Sequence, residues 1–566
     1  QNKFLKEIKL NYDTDMPYVT LLIGADPRIH RALESRILDS GLLLTKTALG
    51  VAIMGAPSQV TSKKGHLQEA NFLRVETLQE KVFWDNETSS SVYDTRKVPS
   101  YEDRVAQKII EDSTIRRDDG RFEIRPPWRQ IPPNMPDNRS QVRYRFDSLR
   151  KRFKNDPEYF QEYSKIIISY LEDGHAERVP KSELDRPKGK KFYIAHHHVD
   201  HPKKNLRVVF DTKSKTDGRS LSTEVYTGPD VLSSLMGVLM RFRQGAIPIT
   251  ADLRRYYHSV YLPKSDVDYF RFFWFAIPDD PTSSIVEHRL LIHLFGGCWS
   301  QAVCGHGLLR AINEAVHSKL ITEEESELLN RAFYSDDFAR SYASTQEALA
   351  SILPLIKILS ESGFVIAKFQ STDRSLMEKI PQNLHHPKAD LNVEDNTVLG
   401  VHWSVSDDVF HFPFQTEGLL IDTKRKLLSV AAGIYDPIGL ISFAITPAKL
   451  LVQQCFREGI TWDENLPPHI QGEVDAWISK LSTLNELRIP RRITDLCSPS
   501  LEHELHVFCD GSESIYATNA FVRTSSSDGN VDVRLLASKT RLVPMKGLTV
   551  PRVELCACLI GARLAT

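Results

Sequence analysis

Three carboxylates stand out by their setting. Asp336 and Asp337 are adjacent in Phe333-Tyr334-Ser335-Asp336-Asp337-Phe338, where apolar flanks fit a tight hairpin turn with the acids at its tip. Asp252 ends the apolar run Ile247-Pro248-Ile249-Thr250-Ala251 and is followed by Tyr256-Tyr257-His258. Adjacent acids repel, so a clefted pair would be stabilised by a divalent cation; a solvated Asp-Asp turn is the alternative. An acid at a strand end, followed about 80 residues later by a paired-acid hairpin, is the arrangement a two-metal site requires. In such a site two Mg2+ ions about 4 Å apart lower the pKa of an attacking hydroxyl and stabilise the leaving oxygen.

Elements must hold these acids in place. Residues 139–178 carry helical spacing (Leu149, Phe153, Tyr159, Phe160, Tyr163, Ile167, Leu171), ending near Gly174. From 191 to 275 the runs are short and β-rich: Phe192–Ile194, Leu206–Phe210, Ile247–Ala251 and Tyr269–Phe275, with a helix over Pro229–Arg243. Helices over 301–318 and 345–360 flank a strand-turn-strand at 333–342, residues 424–490 are mostly helical, and Leu505–Phe508 opens a new β segment. Near the start, residues 19–26 and Ala48–Met54 read as strands. From 57 to 138 the pattern weakens. Pro126, Pro127, Pro132, Pro133 and Pro136 read there as a semi-rigid connector.

At 566 residues, 41% hydrophobic and 26% charged, the chain has a globular composition and is long enough for three or four domains. No run of about 18 apolar residues is present, so no membrane partner is expected. The 7 cysteines are dispersed, which argues against a disulfide framework or zinc cluster. The net charge is -1, but residues 139–219 hold 20 Lys/Arg against 12 Asp/Glu, a local excess of 8 that suits nucleic acid. The chain starts at Gln1 without an apolar leader and ends in what reads as an uncapped helix; an interior piece of a longer polyprotein is expected.

Taken together, Asp252 and the Asp336-Asp337 hairpin resemble the catalytic motifs of a reverse transcriptase palm. The likeness extends to the Pol polyprotein of BEL/Pao long-terminal-repeat retrotransposons through co-linear segments: Asp156 to Pro180, Leu206 to Asp211, Tyr226 to Arg243, Phe295-Gly296-Gly297, Leu399 to Trp403 and Tyr435 to Ile441. The resemblance implies an α+β chain built as a right-hand polymerase (fingers, palm, thumb). A truncated retropepsin-like β segment would precede it and a truncated ribonuclease H-like α/β segment would follow. The implied boundaries are 1–60 for the C-terminal part of an aspartic protease, 61–138 for a linker, 139–410 for fingers and palm, 411–500 for thumb and connection, and 501–566 for the start of ribonuclease H.

By the same resemblance Asp252, Asp336 and Asp337 are the carboxylates for two Mg2+ (or Mn2+) ions, and Lys368 is the lysine that protonates departing pyrophosphate. Arg207 matches the arginine that grips the triphosphate, whose planar fork suits phosphate oxygens. Lys203 and Lys204 are weaker phosphate candidates, with surface lysines the alternative. Tyr257 stands where a bulky ring excludes a ribose 2′-OH; a core aromatic is the alternative. Gly296 and Gly297 let backbone approach template and dNTP. The family's Phe-Gly-Ala-Thr-Ser-Ser-Pro pattern departs here to Phe295-Gly296-Gly297-Cys298-Trp299-Ser300-Gln301, and the change bears on dNTP placement. Leu399–Trp403 resembles the primer grip.

Asp510 and Glu554 resemble two of four ribonuclease H carboxylates; the other two would follow residue 566, and half a ligand set predicts no hydrolytic activity. Asp39-Ser40-Gly41 has an aspartic protease triplet, but it follows the Ile23-Gly24 strand and reads as a turn. His196, His197 and His198 are consecutive on a strand, so they point to alternate faces and form no metal site.

The expected function is RNA-directed DNA polymerase. Its partners would be an RNA/DNA template-primer, dNTPs and other Pol polyprotein segments. It would be located in the cytoplasm, in a virus-like particle or retroelement ribonucleoprotein, or in the nucleus. The alternatives are a degenerate nucleic-acid-binding relic and, with less support, an aspartic peptidase segment.

Overall fold

The computed structural model describes residues 99–566, apart from 202–203, 388–395, 416, 497–499 and 566, together with strands 34–37, 43–47 and 50–54. Two compact units divide the chain, Gln1–Phe83 and Trp84–Thr566. In the first, β1 (Glu34–Ile37), β2 (Leu43–Thr47) and β3 (Gly50–Met54) form an antiparallel sheet in that order. The strand expected at 19–26, the Asp39 turn, positions 57–98 of the expected connector and Lys203 lie outside the described residues.

In the second unit, α1 (Tyr101–Ser113) starts at a reciprocal Ser100–Asp103 capping box. Two short strands follow, β4 (Ile115–Arg116) and β5 (Phe122–Glu123). The sequence predicts a connector here; the structure corrects that for residues 99–138. Phe122, Ile124, Trp128 and Met135 are buried in the main core. β5 pairs in parallel with Val260–Tyr261, and the Ile124 N–H donates to the Tyr261 carbonyl at 3.0 Å. Trp128 Nε1 donates to Asp266 Oδ2 at 2.9 Å, and the Tyr269 hydroxyl donates to the Pro133 carbonyl at 2.9 Å. The prolines stiffen a segment laid on the core. The missed signal was Arg121-Phe122-Glu123-Ile124-Arg125, whose strict alternation marks a half-buried strand.

The helical stretch after 139 is two helices, α2 (Arg139–Asn155) and α3 (Pro157–Glu172). They divide at Asp156-Pro157 because Pro157 has no N–H to continue the first helix, while the Asp156 carboxylate accepts from the Tyr159 N–H and caps the second. β6 (Ala176–Arg178) precedes a hairpin of β7 (Ala195–His201) and β8 (Lys204–Asp211). α4 (Leu235–Phe242) is shorter than the predicted 229–243, because Ser234 caps it through the Gly237 N–H and the residues before it are not helical. Then come β9 (Ile247–Arg254), β10 (Val260–Tyr261), β11 (Arg271–Phe275) and β12 (Ile285–Leu290). They are followed by α5 (Ser300–His317), α6 (Glu323–Asn330), β13 (Phe333–Tyr334), β14 (Asp337–Tyr342), α7 (Thr345–Glu361) and β15 (Val365–Ser371). One core, from Ile110 to Ile380, joins these elements apart from α4.

The sheet that carries the acids is antiparallel, in the order β13-β14-β9-β15. Beyond it, β16 (Asn396–Val398), β17 (Val401–Ser404), β18 (Val409–His411) and β19 (Arg488–Pro490) form an antiparallel sheet in that order. Between β18 and β19 lie the helices α8 (Lys424–Gly433), α9 (Ser442–Arg457) and α10 (Pro468–Leu481). The last part is a meander, β20 (Leu501–Gly511), β21 (Ile515–Ser526) and β22 (Val531–Leu542), packed on α11 (Val550–Ala565) through Tyr516, Val543, Val553 and Ala557.

That meander is hydrogen-bonded to the elements before it. Arg243, just past α4, donates from Nη1 to the carbonyls of Leu535 (3.0 Å) and Leu536 (2.8 Å) and from Nε to the Arg491 carbonyl (2.9 Å). The Ser538 N–H donates to the Ile438 carbonyl at 2.9 Å, and Gln453 Nε2 to the Val543 carbonyl at 2.7 Å. The fold is mixed α+β. Among the described residues no helix is long and apolar enough to cross a membrane.

Candidate active site

Alternation along β9 buries Ala251 and Leu253 and leaves Asp252 half-buried at the sheet's end. In register, Asp252 lies opposite Asp337 on β14 and opposite Ala367 on β15. Asp336 stands in the two-residue turn between β13 and β14, where Tyr334 pairs with Asp337 and Ser335 takes a left-handed φ of 58°. The Asp336 carbonyl accepts the Leu253 N–H at 2.7 Å, which fixes the turn against β9. The sequence-predicted hairpin is present, and it brings all three acids to one end of one sheet.

Lys368 completes the cluster. It sits in a bulge of β15, between the paired residues Ala367 and Gln370, at φ 58°. From there its Nζ reaches Asp252 Oδ2 at 2.5 Å. Burial, reinforced by the Asp252 charge, lifts the Asp336 carboxyl above the usual range. Burial and the charges of Asp336 and Asp252 push Asp337 up to about 6. The end of the sheet therefore concentrates more negative charge than Lys368 neutralises.

Among the described residues no group of three or more His, Cys, Asp or Glu side chains is arranged around one point for a metal ion. The chemistry of the donors nonetheless fits a hard divalent cation, since they are carboxylate oxygens held under mutual repulsion.

The other predicted residues surround this end unevenly. Tyr257 follows the left-handed Arg255, which is ion-paired with Asp173, and its ring lies 5.7 Å from Phe295 and 5.0 Å from Tyr256 between centroids. Its hydroxyl donates to Gln301 Oε1 at 2.9 Å. Gly296 is exposed at φ 88°, and its carbonyl accepts the Thr212 hydroxyl at 3.4 Å. Arg207 is exposed on β8, five residues before Thr212; among the described residues it is not brought onto the carboxylates. The Lys204 backbone begins β8.

Trp299, the largest departure in the Phe295–Gln301 loop, does not enter the site. Its ring is fully buried, and Nε1 donates to His293 Nδ1 at 3.1 Å, while His293 Nε2 bonds the Ile124 carbonyl at 2.9 Å. A Cβ on Gly297 would lie 3.1 Å from the Trp299 ring and 2.6 Å from Ser300 Oγ. A side chain at 297 would therefore press on both Ser300 and the Trp299 ring.

Leu399 and Gly400, at φ 50° and 85°, form the turn of the β16–β17 hairpin, with the Tyr435 ring against Gly400. Trp403 of the same segment is buried on Phe242. His196 and His198 face α3, where Tyr163 and Tyr159 hydroxyls bond their Nδ1 atoms at 2.6 and 2.7 Å; His196 Nε2 bonds the Phe273 carbonyl at 3.0 Å. Asp510 ends β20, and a Cβ on the next residue, Gly511, would lie 3.1 Å from the Glu554 backbone nitrogen. The backbone beside Asp510 therefore lies against that of Glu554, and both residues are exposed.

Residues 423–566 match the model of the Pao retrotransposon-like RNaseH-like domain. The likeness to that family is carried by these residues, about a quarter of the chain. The match starts at Thr423, the N-cap of α8, and takes in α8–α10 as well as the final meander. No curated protein sequence matches the chain. Three solved foamy viral structures are similar to it. The protease-reverse transcriptase in complex with RNA/DNA hybrid is 13% identical, with a TM-score of 0.46 over 94% of this chain and 64% of that one. The protease-reverse transcriptase dRH in complex with ds DNA is 15% identical, with a TM-score of 0.45 over 69% and 58%. The protease-reverse transcriptase in complex with dsDNA is 16% identical, with a TM-score of 0.43 over 71% of each chain. The chain spans less than two thirds of the length of the first two.

Proposed function

We propose that this chain is the RNA-directed DNA polymerase segment of a retrotransposon Pol polyprotein, extending a primer on a nucleic-acid template by two-metal nucleotidyl transfer. The observation that supports it best is the register that sets Asp252 opposite Asp337 with Asp336 in the adjoining turn. In this reading the acid-bearing sheet belongs to the palm, the β7–β8 hairpin to the fingers and α8–α10 to the thumb and connection.

Asp252, Asp336 and Asp337 would hold two Mg2+ or Mn2+ ions. When bound, such ions supply the positive charge that activates a primer 3′-hydroxyl and stabilises the leaving pyrophosphate oxygen. Lys368 is held by Asp252 at the same end of the sheet and donates a proton to the leaving group. Tyr257 stacks under the incoming sugar, and Arg207 binds phosphate. Gly296 and Gly297 leave the loop open beside them. The basic stretch 139–219 binds the template backbone. Asp510 and Glu554 are half of a ribonuclease H ligand set.

Primer extension on an RNA template, with Mg2+ and separately with Mn2+, tests the reading. Extension by the parent and none by Asp336→Ala is the expected result. If the parent extends with neither metal yet binds template as tightly as Asp336→Ala, the chain is a nucleic-acid-binding relic.

A further inference from the structure

We propose that Gln301 sets the sugar discrimination of this site by fixing the orientation of the Tyr257 ring; the proposal rests on the polymerase reading. Gln301 is the second residue of α5, whose first turn is anchored by the buried Trp299, Ser300, Ala302 and Val303. Its Oε1 accepts two hydroxyls, Tyr257 at 2.9 Å and Ser335 at 3.0 Å. A carbonyl oxygen has two lone pairs, so these two donors use its full capacity. The bridge persists whichever way the amide is turned, because both hydroxyls can donate or accept.

Three separate elements meet at that one side chain: the turn after Asp252, the start of α5, and the turn that carries Asp336. The flanking Phe295 and Tyr256 rings confine the Tyr257 ring through apolar contact, which restricts tilt without choosing an end point for the hydroxyl. Gln301, with the Ser335 hydroxyl that it holds beside the Tyr257 hydroxyl, supplies that end point. A proline at 301 has no side-chain acceptor, so the residue that departs from the family pattern is the one that anchors the ring. With Oε1 removed, the ring can swing and a sugar bearing a 2′-OH gains room. The same substitution frees Ser335, beside Asp336, so sugar selection and carboxylate position are coupled through one amide.

The test compares the parent, Gln301→Leu, Tyr257→Phe and the double variant, each with a dNTP and the matching rNTP on one template-primer. Gln301→Leu keeps the size and removes the acceptor. The expected result is a loss of dNTP-over-rNTP preference of roughly tenfold, about what one net hydrogen bond is worth. It is expected in the KM for the rNTP more than in kcat. The double variant should lose no more than either single variant, because both remove the same bond. Additive losses, or a preference unchanged in Gln301→Leu, would overturn the proposal. Thermal unfolding of each variant separates misfolding from altered selection.

The same ratio is also read as dNTP and rNTP affinity of the chain on a 3′-deoxy-terminated primer with Ca2+, where no turnover is needed. Extension by the parent with no effect of Gln301→Leu sinks this inference alone. A parent that neither extends nor binds dNTP sinks the polymerase reading and this inference with it.

Discussion

Lys368 and Asp252 form an ion pair from adjacent strands, Nζ to Oδ2 at 2.5 Å, and the lysine reaches it only because a bulge turns its backbone left-handed. The lysine side chain remains 41% exposed, so the pair itself contributes under about 1 kcal/mol. Its larger effect is to place a cation where a divalent ion would also bind. Lys368→Met should therefore lower the Mg2+ concentration that gives half-maximal thermal stabilisation, through mass action on the folded state. If Lys368 is also the proton donor, extension should slow by about 10² or more in the same variant. An unchanged Mg2+ midpoint would show that lysine and cation do not compete.

The second prediction concerns pH. The Asp337 carboxyl rises from its usual 3.8 to about 6, first through burial and then through Asp336 and Asp252. The folded state thus holds this proton more tightly than the unfolded chain does. The resulting stability is fully present below about pH 4 and is lost as pH rises through 6. Asp337→Asn removes the penalty of ionisation. Without divalent cation, it should be more stable than the parent at pH 8, by about 3 kcal/mol, and the difference should shrink toward pH 4. Urea unfolding at both pH values measures it, and an equal difference at both would contradict the charge coupling.

How far the sequence carried the fold depended on where the determining contacts lie. The Asp336-Asp337 hairpin, α5 and α7 were legible because local periodicity and turn chemistry decide them. The β5 region was misread, since five prolines outweighed a short alternation and the parallel pairing to Val260–Tyr261 is remote in sequence. Ser234 and Asp156 moved helix boundaries through caps that a hydrophobic period does not reveal. At the site, the three acids stood out by residue type and spacing, whereas Lys368 came only from the family resemblance. Gln301 was visible as a departure, but its double hydrogen bond requires knowing that Tyr257 and Ser335 face it from two other elements.

Arg243 carries the third prediction. It is buried, its guanidinium is pushed down to about 10 by burial and by the Arg491 charge, and it donates to three carbonyls. Arg491, also buried, donates in turn to the carbonyls of Phe242, Gly245 and Ala246 and forms a two-pronged pair with Asp408. Arg243→Met leaves the Leu535 and Leu536 carbonyls without this donor and should cost about 3 kcal/mol. Limited proteolysis should then cut earlier between β19 and β20. Equal protection in parent and variant would mean that other contacts alone hold the C-terminal meander.

The last prediction tests whether residues 99–138 belong to the fold. Trp128 is 1% exposed, packs on Tyr269 and Phe270 at 5.4 and 6.2 Å between centroids, and donates to the nearly buried Asp266. Trp128→Ala would remove the ring from a closely packed core and one of the donors that solvates the Asp266 carboxylate. The remaining donors, Arg125 Nε at 2.9 Å and the Ser265 hydroxyl at 2.7 Å, keep that charge satisfied, so the loss is mainly one of packing. A cost of about 3–5 kcal/mol is expected in chemical unfolding, with Trp128→Phe recovering more than half of it. A free connector would tolerate either change within about 0.5 kcal/mol. Because β5 pairs with β10, which follows directly on the turn holding Tyr257, the same variant should weaken dNTP selection before it abolishes extension.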